Sequence, residues 1–257
     1  MMERALPEQR PALEEIAKTW GEQQGISVAV QTVANDLQPN FITANQAGNG
    51  PDITMGAHDW IGNLVQNSAI SPVQLPADVG ETLAPVGIEA VTYDGKTYGL
   101  PYAIENIAIL RNTALADSTP ATYDEMITKG QAAGTEYPFV VGLDPQASDP
   151  YHLYPFQTSF GSSVFARNAD GSYDASKLTI GDESGQGFAA WLTAQGDTGT
   201  KVLNLNLSGD LAKEAFNAGK SPYFLTGPWN VADAQKAGID VSVDAIPSAG
   251  GEAATRA

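Results

Sequence analysis

The chain has 257 residues, 42% of them hydrophobic and 17% charged, which suffices for one large or two ordinary packed domains and excludes a wholly disordered chain. Its formal net charge is −17, from 30 acidic against 13 basic residues; that field repels nucleic acid and anionic lipid, so neither is an expected partner. There is no cysteine, which removes disulfides, thiolate catalysis and cysteine-bound metal together.

Residues 11–25 predict an amphipathic helix. Leu13, Ile16, Ala17 and Trp20 recur at helical spacing and are expected in the core, with Gly25 as the stop. Residues 26–33, ISVAVQTV, alternate as a strand does. A short helix at 41–47 runs into a tight turn, GNGPD at 48–52, then a short strand at 53–56. Helices are predicted at 60–67 and 81–91. Asp94-Gly95 reads as a hairpin turn, followed by β-rich pieces at 97–102 and 106–110. The alternation of helix and strand predicts a layered α/β unit.

The pattern then restarts. Thr122-x-x-Glu125 is a capping box heading a helix to about residue 133, and 139–143 is a strand. Residues 151–160, YHLYPFQTSF, form an aromatic-rich helix in which Pro155 must kink the chain or sit in the first turn. A turn at 168–171 joins two short strands. Asp182 caps a helix carrying Phe188, Trp191 and Leu192. Ser208 caps another carrying Leu211, Ala215 and Phe216, ended by Gly219. Residues 221–226 are a strand, Pro228 starts a further helix, and 241–246 is the last strand. Residues 247–257 are expected to be a disordered tail. No apolar run approaches membrane-spanning length, and residues 1–10 are too polar for a signal peptide.

The common catalytic motifs GxGxxG, Walker A and GxSxG are absent. His58 and His152 are not in a HExxH frame, so zinc is not expected. Asn168, Asp170 and Asp174 fail the later ligand positions of a calcium loop, so no metal or cofactor is expected. What remains is carboxylates beside aromatics near predicted strand ends: Asp59 with Trp60, Glu105, Asp149 before Tyr151, and Trp229 in TGPWN. Ligands of open α/β sheets bind outside the carboxyl ends of strands. A carboxylate accepts hydrogen bonds from vicinal hydroxyls, and an aromatic ring offers a flat face to the C–H groups of a pyranose; together they suit a neutral sugar. A lone aromatic is most often core packing, and Trp20 and Trp191 are assigned there. Glu105 taken alone reads better as an ordinary exposed glutamate on the polar side of a strand; the other stretches are what favour a site.

The segments GNGPDITMGAHDWIGNLVQ, YDGKTYGLPYAIENIAILRN, SDPYHLYPF and AFNAGKSPYFLTGPWN, in this order, resemble the maltose/maltodextrin-binding proteins of ABC importers, within the extracellular sugar-binding proteins. The resemblance runs over about residues 7–247. It implies an α/β, two-lobed periplasmic-binding-protein-like fold with a hinge, closing over maltose or a maltodextrin. It further implies delivery to the membrane permease subunits of an ABC importer, and an extracellular or periplasmic location, lipid-anchored in the full-length protein. The chain itself is expected to be a monomer. By the same resemblance Asp59 and Glu105 bind sugar hydroxyls, and Tyr151 and Trp229 stack on sugar rings. Arg10, in Glu8-Gln9-Arg10, lies where charged contacts are placed, and Trp60 is added as a site aromatic from its position. Gly56 stands where a maltose binder of the family has a tryptophan. Residues 1–105 are expected to form an incomplete N-terminal lobe and 106–246 the main part of a C-terminal lobe. The first strand of the family pattern and its C-terminal part are expected to be missing. Two other readings stand beside this one: a glycoside hydrolase using two of Asp59, Glu105 and Asp149, and a truncated remnant with little binding.

Overall fold

The computed structural model describes residues 2–3, 10–33, 35–146, 149–169 and 173–255. The chain divides into two compact units, Met1–Ile104 and Glu105–Ala257.

In the first unit, β1 (Met2–Glu3) pairs in parallel with β2 (Gln31–Thr32), so a strand does precede the first helix, where the sequence reading had none. Within the predicted strand 26–33, Gln31 and Thr32 are the residues that pair with described ones. Between these strands runs α1 (Arg10–Gln24). Its buried residues are Ala17 and Gly21, while Ile16 and Trp20, expected in the core, are 66% and 50% exposed. The small-residue face docks because only it can approach closely: a Cβ on Gly21 would meet the Ile26 carbonyl oxygen at 2.7 Å. Next come α2 (Leu37–Gln46), a 3-10 turn (His58–Trp60) and α3 (Ile61–Gln66). Of the predicted strand 53–56 only Thr54 lies in a β-bridge, and Ile53 is exposed. Leu37, Phe41, Leu64 and Ala69 make this unit's core cluster. The helix predicted over 81–91 is instead α4 (Ala77–Gly80) and α5 (Pro85–Ala90). Pro85 drives Ala84 into an extended conformation, so the helix can begin only at the proline. β3 (Thr92–Tyr93) and β4 (Lys96–Thr97) form the expected hairpin, with Asp94 and Gly95 both at positive φ, as a type I′ turn requires.

The second unit is built on a four-stranded sheet in the order β10-β5-β9-β6. These strands are β10 (Val241–Asp244), β5 (Ala108–Asn112), β9 (Tyr223–Thr226) and β6 (Val140–Val141). β9 runs parallel to β6 and antiparallel to β5, and β10 is antiparallel to β5. Both faces are covered. Ile109, Val141, Tyr223 and Leu225 point into one core with α6 (Tyr123–Ala132), α7 (Pro150–Thr158) and α8 (Glu183–Gln195). Leu110, Val140 and Phe224 point into the other, with α9 (Gly209–Asn217) and α10 (Val231–Lys236). Each Leu or Phe so buried contributes about 1.5–3 kcal/mol, which favours a sheet sandwiched between helices. Trp191 packs edge-on against Tyr123 and beside Phe156, a core residue as expected. Leu211 does not; it is 49% exposed, because the buried face of α9 is Ala212, Ala215 and Phe216.

The helix caps lie where the sequence placed them. Thr122 Oγ1 accepts from the Glu125 amide and Glu125 accepts from the Ala121 amide. Asp182 and Ser208 accept from the amides of Gly185 and Leu211. The antiparallel pair β7 (Phe165–Arg167) and β8 (Tyr173–Leu178) flanks the predicted turn, part of which lies outside the described residues.

The C-terminal segment corrects an expectation. Residues 248–255 are bonded to the unit: the Tyr123 amide donates to the Ser248 carbonyl, the amides of Ala249 and Gly250 donate to Ser159 Oγ, and the Glu252 amide donates to the Ser159 carbonyl. The small residues that read as disorder serve close approach, since a Cβ on Gly250 would strike the Ser159 carbonyl oxygen.

One charged pair ties the edge strand to the sheet. Arg111 Nε donates to Asp244 Oδ2 at 2.5 Å with both side chains nearly buried, and Arg111 Nη1 donates to the Ala116 carbonyl. Burial pushes the Asp244 carboxyl up, but hydrogen bonds from Arg111 and Ser242 and the Arg111 charge outweigh it and hold it below its ordinary range. A depressed folded pKa gives stability that is present above the unfolded value and lost as pH falls through the folded one. Asp244→Asn is therefore expected to cost about 3–5 kcal/mol near neutrality. The deficit relative to wild type should shrink as the medium is acidified below the ordinary carboxylate range, as measured by urea titrations across pH. A pH-independent deficit would contradict this.

Candidate ligand-binding site

The carboxyl ends of β6 and β9 lie at the same edge of the sheet, because the two strands are parallel neighbours. A cleft of about 490 Å³ opens there. Its walls come from the turn after β6 (Gly142, Asp144), the start of α7 (Asp149, His152), the start of α9 (Ser208, Asp210, Lys213) and the segment after β9 (Thr226, Trp229, Asn230). Gly142 allows this convergence: a Cβ there would sit 2.6 Å from Gly209 Cα, so only glycine lets α9 begin against the strand end. Thr226 is buried, and its Oγ1 accepts from Asn230 Nδ2 at 2.8 Å. Lys213 lies 3.8 Å from Asp210.

Asp149 organises the rim. One carboxylate oxygen accepts from the His152 backbone amide at 3.0 Å, capping α7; the other lies 2.6 Å from His152 Nδ1. The imidazole meets Tyr151 on one side, with ring centroids 5.2 Å apart, and Trp229 on another, at 6.3 Å, both edge to face. Tyr151 and Trp229 are 42% and 40% exposed, unlike the core aromatics. The indole of Trp229 lies over Gly227, where a Cβ would strike the ring. This arrangement can stack a flat apolar face and offer carboxylate, hydroxyl, amide and ammonium groups to a polyhydroxyl ligand.

The structure thus brings Tyr151 and Trp229 together through His152. Glu105 is exposed and lies in no strand. Ala108 pairs with Thr226, so the chain before β5 and the chain after β9 leave the sheet at the same end, which puts Glu105 three residues from the cleft's edge. The other expected residues lie in the first unit. Asp59 is exposed in the 3-10 turn. Trp60, beside it, is half-buried against the Leu37–Phe41 cluster, and its ring covers Gly56, whose Cβ would be 2.6 Å from the ring. Trp60 therefore fills the space that a larger residue at position 56 would need. Arg10, exposed at the start of α1, donates to Glu14 at 2.7 Å; Glu8 and Gln9 lie outside the described residues.

In the sequence His152 stands out only as one of two histidines outside a zinc-binding frame. The available signal was its spacing: an acid at the cap and a histidine three residues on share one helix face. Asp144, Asp210, Lys213 and Asn230 carried no local signal, since only the sheet topology gathers them. Among the described residues no group of three histidine or carboxylate side chains is arranged to hold a metal, and no helix is long and apolar enough to cross a membrane.

The sequence pattern of the bacterial extracellular solute-binding proteins matches residues 15–256. The chain belongs to that family. The chain is similar to a maltotriose-binding protein of Pyrococcus abyssi (strain GE5 / Orsay), 26% identical over 82% of this chain and 45% of its own length. A galactooligosaccharide-binding protein of Bacillus subtilis (strain 168) is 27% identical over 78% of this chain and 48% of its own length. A maltooligosaccharide ABC transporter solute-binding lipoprotein of Streptococcus pneumoniae (strain ATCC BAA-255 / R6) is 26% identical over 92% of this chain and 56% of its own length. This chain thus spans about half the length of the curated relatives it matches. The solved structure of Thermus thermophilus maltotriose binding protein bound with maltotriose superimposes with a TM-score of 0.81 at 27% identity, covering 96% of this chain and 66% of that one. The α/β, periplasmic-binding-protein-like fold expected from the sequence is the fold of this solute-binding protein.

The perch of Trp229 on Gly227 has a direct test. Gly227→Ala must displace the indole, so the emission of Trp229, isolated by difference from Trp229→Phe, is expected to shift in Gly227→Ala. An unchanged Trp229 spectrum would show that the ring does not rest there.

Proposed function

We propose that this chain recognises a neutral oligosaccharide, a maltodextrin by preference, as part of a solute-binding protein that passes its ligand to the permease subunits of an ABC importer. It acts as a monomer outside the cytoplasmic membrane, lipid-anchored in the full-length protein, and performs no covalent chemistry. The two compact units correspond, on this reading, to the family's N-terminal and C-terminal lobes. The observation that carries it is the cluster of Tyr151, His152 and Trp229 on the rim of a polar cleft at the strand ends. Two half-exposed aromatics beside carboxylate, amide and hydroxyl groups match the two faces of a pyranose, one apolar and one rich in hydroxyls. The ligands named for the related proteins supply the sugar class: maltotriose, maltooligosaccharides and, in one case, galactooligosaccharides. Glu105, at the same end of the sheet, is a further sugar contact on this reading, as are Asp59, Trp60 and Arg10 on the first unit.

Hydrolysis is not part of the proposal. Asp149, a carboxylate on the rim of the cleft, is already engaged by a backbone amide and by His152. Calorimetry with maltotriose is expected to give measurable binding that weakens by about 1–3 kcal/mol in Trp229→Ala, with the circular dichroism spectrum unchanged. Maltotriose incubated with the protein should be recovered intact. Cleavage that disappears in Glu105→Gln would replace this reading with a hydrolase, and an unfolded Trp229→Ala would make Trp229 a core residue.

A further inference from the structure

Resting on that reading, we propose that His152 is a specificity-determining residue. Asp149 locks its imidazole as the Nδ1–H tautomer, so that Nε2 serves the cleft as a hydrogen-bond acceptor for a ligand hydroxyl. Asp149 decides where the ring proton sits. An ionised carboxylate can only accept hydrogen bonds. One of its oxygens is taken by the backbone amide of His152, and the other stands 2.6 Å from Nδ1. At that distance a bare lone pair on Nδ1 would face a negative oxygen, so Nδ1 must carry the proton, and in the neutral ring Nε2 then cannot. The carboxylate is held by the helix it caps and the ring is braced by Tyr151 and Trp229, so neither can turn to exchange the two nitrogens cheaply.

Nε2 is the unspent group. No described residue hydrogen-bonds to it, and among the described residues the only fully buried side-chain polar atom lacking a partner is the Tyr223 hydroxyl, so Nε2 keeps some contact with solvent, and His152 is one of the residues lining the cleft. The neighbouring groups make its role distinctive. Asp144 and Asp210 also accept, whereas Lys213 and the Asn230 amide donate. A ring nitrogen that accepts is weaker than a carboxylate but sits at an aromatic edge, between two half-exposed rings. It favours a ligand that presents a hydroxyl at the border of its stacked face and disfavours one that presents only an ether or carbonyl oxygen there.

The test uses the full chain with its histidines labelled with nitrogen-15, at about pH 8, above the unperturbed histidine range. Nitrogen chemical shifts of the ligand-free protein are expected to show His152 protonated at Nδ1 and bare at Nε2. Asp149→Asn should invert this: the amide oxygen keeps the cap while its NH₂ donates to Nδ1, which moves the proton to Nε2. On adding maltotriose, the Nε2 resonance of wild type should move, and His152→Phe, which keeps the ring contacts, should bind about tenfold more weakly, the scale of one lost hydrogen bond. A ring protonated at Nε2 or at both nitrogens in wild type, or His152→Phe binding as tightly as wild type, would overturn the proposal. A wild-type chain that binds no oligosaccharide would instead overturn the preceding reading, and with it the ligand half of this one, while the spectra of the free protein still decide the tautomer.

Discussion

The second unit depends on one constraint: β5 and β9 are buried on both faces. Ile109, Leu110, Tyr223, Phe224 and Leu225 are all essentially inaccessible, alternating between two cores. A strand in that position can present polar side chains only where it stops. Arg111, inside β5, is the exception, and it is met by Asp244 from the edge strand. Breaking that pair would leave a charge stranded in an apolar layer, which explains why the pair is kept although it adds little over a hydrophobic contact. Everything chemically distinctive is thereby displaced to the sheet's end, where β6 and β9 stop together and α7 and α9 begin.

The cleft follows from that displacement. Helix starts carry unpaired amides, and the residues that cap them are short and polar. Asp149 and Ser208 satisfy α7 and α9, and in doing so they line the cleft. Asp149 has a second task, because its other oxygen holds His152. A structural cap and a binding group are thus one residue. The aromatics sit here for a related reason. Trp229 follows Gly227-Pro228, where a glycine leaves room for the indole and the proline starts the turn, so the ring lies across the backbone and the residue remains 40% exposed.

What the sequence made legible was local. The caps at Thr122, Asp182 and Ser208 and the turn at Asp94-Gly95 are decided by residues within a few positions of each other, so pattern reading reaches them. The heavy aromatics near strand ends, Tyr151 and Trp229, were also legible, because a large ring beside turn residues has little core to enter. Long-range choices were not. Helical spacing marks Ile16 and Trp20 as a stripe but cannot say that the Ala17–Gly21 face docks instead. Small residues at 248–251 have the composition of a tail, and only the proximity of Ser159 turns them into a packed segment. His152 was hidden for the same reason, since its meaning comes from Trp229, 77 positions later in the chain.

The central claim is that the strand-end cleft of the second unit takes an oligosaccharide. Backbone amide resonances followed while maltotriose is added test it most directly. The account predicts that shifts concentrate at residues 142–144, 149–152, 208–213 and 226–230, with the strand interiors of β5 and β9 nearly silent. Saturable shifts centred elsewhere in the second unit, with this set unmoved, would contradict it.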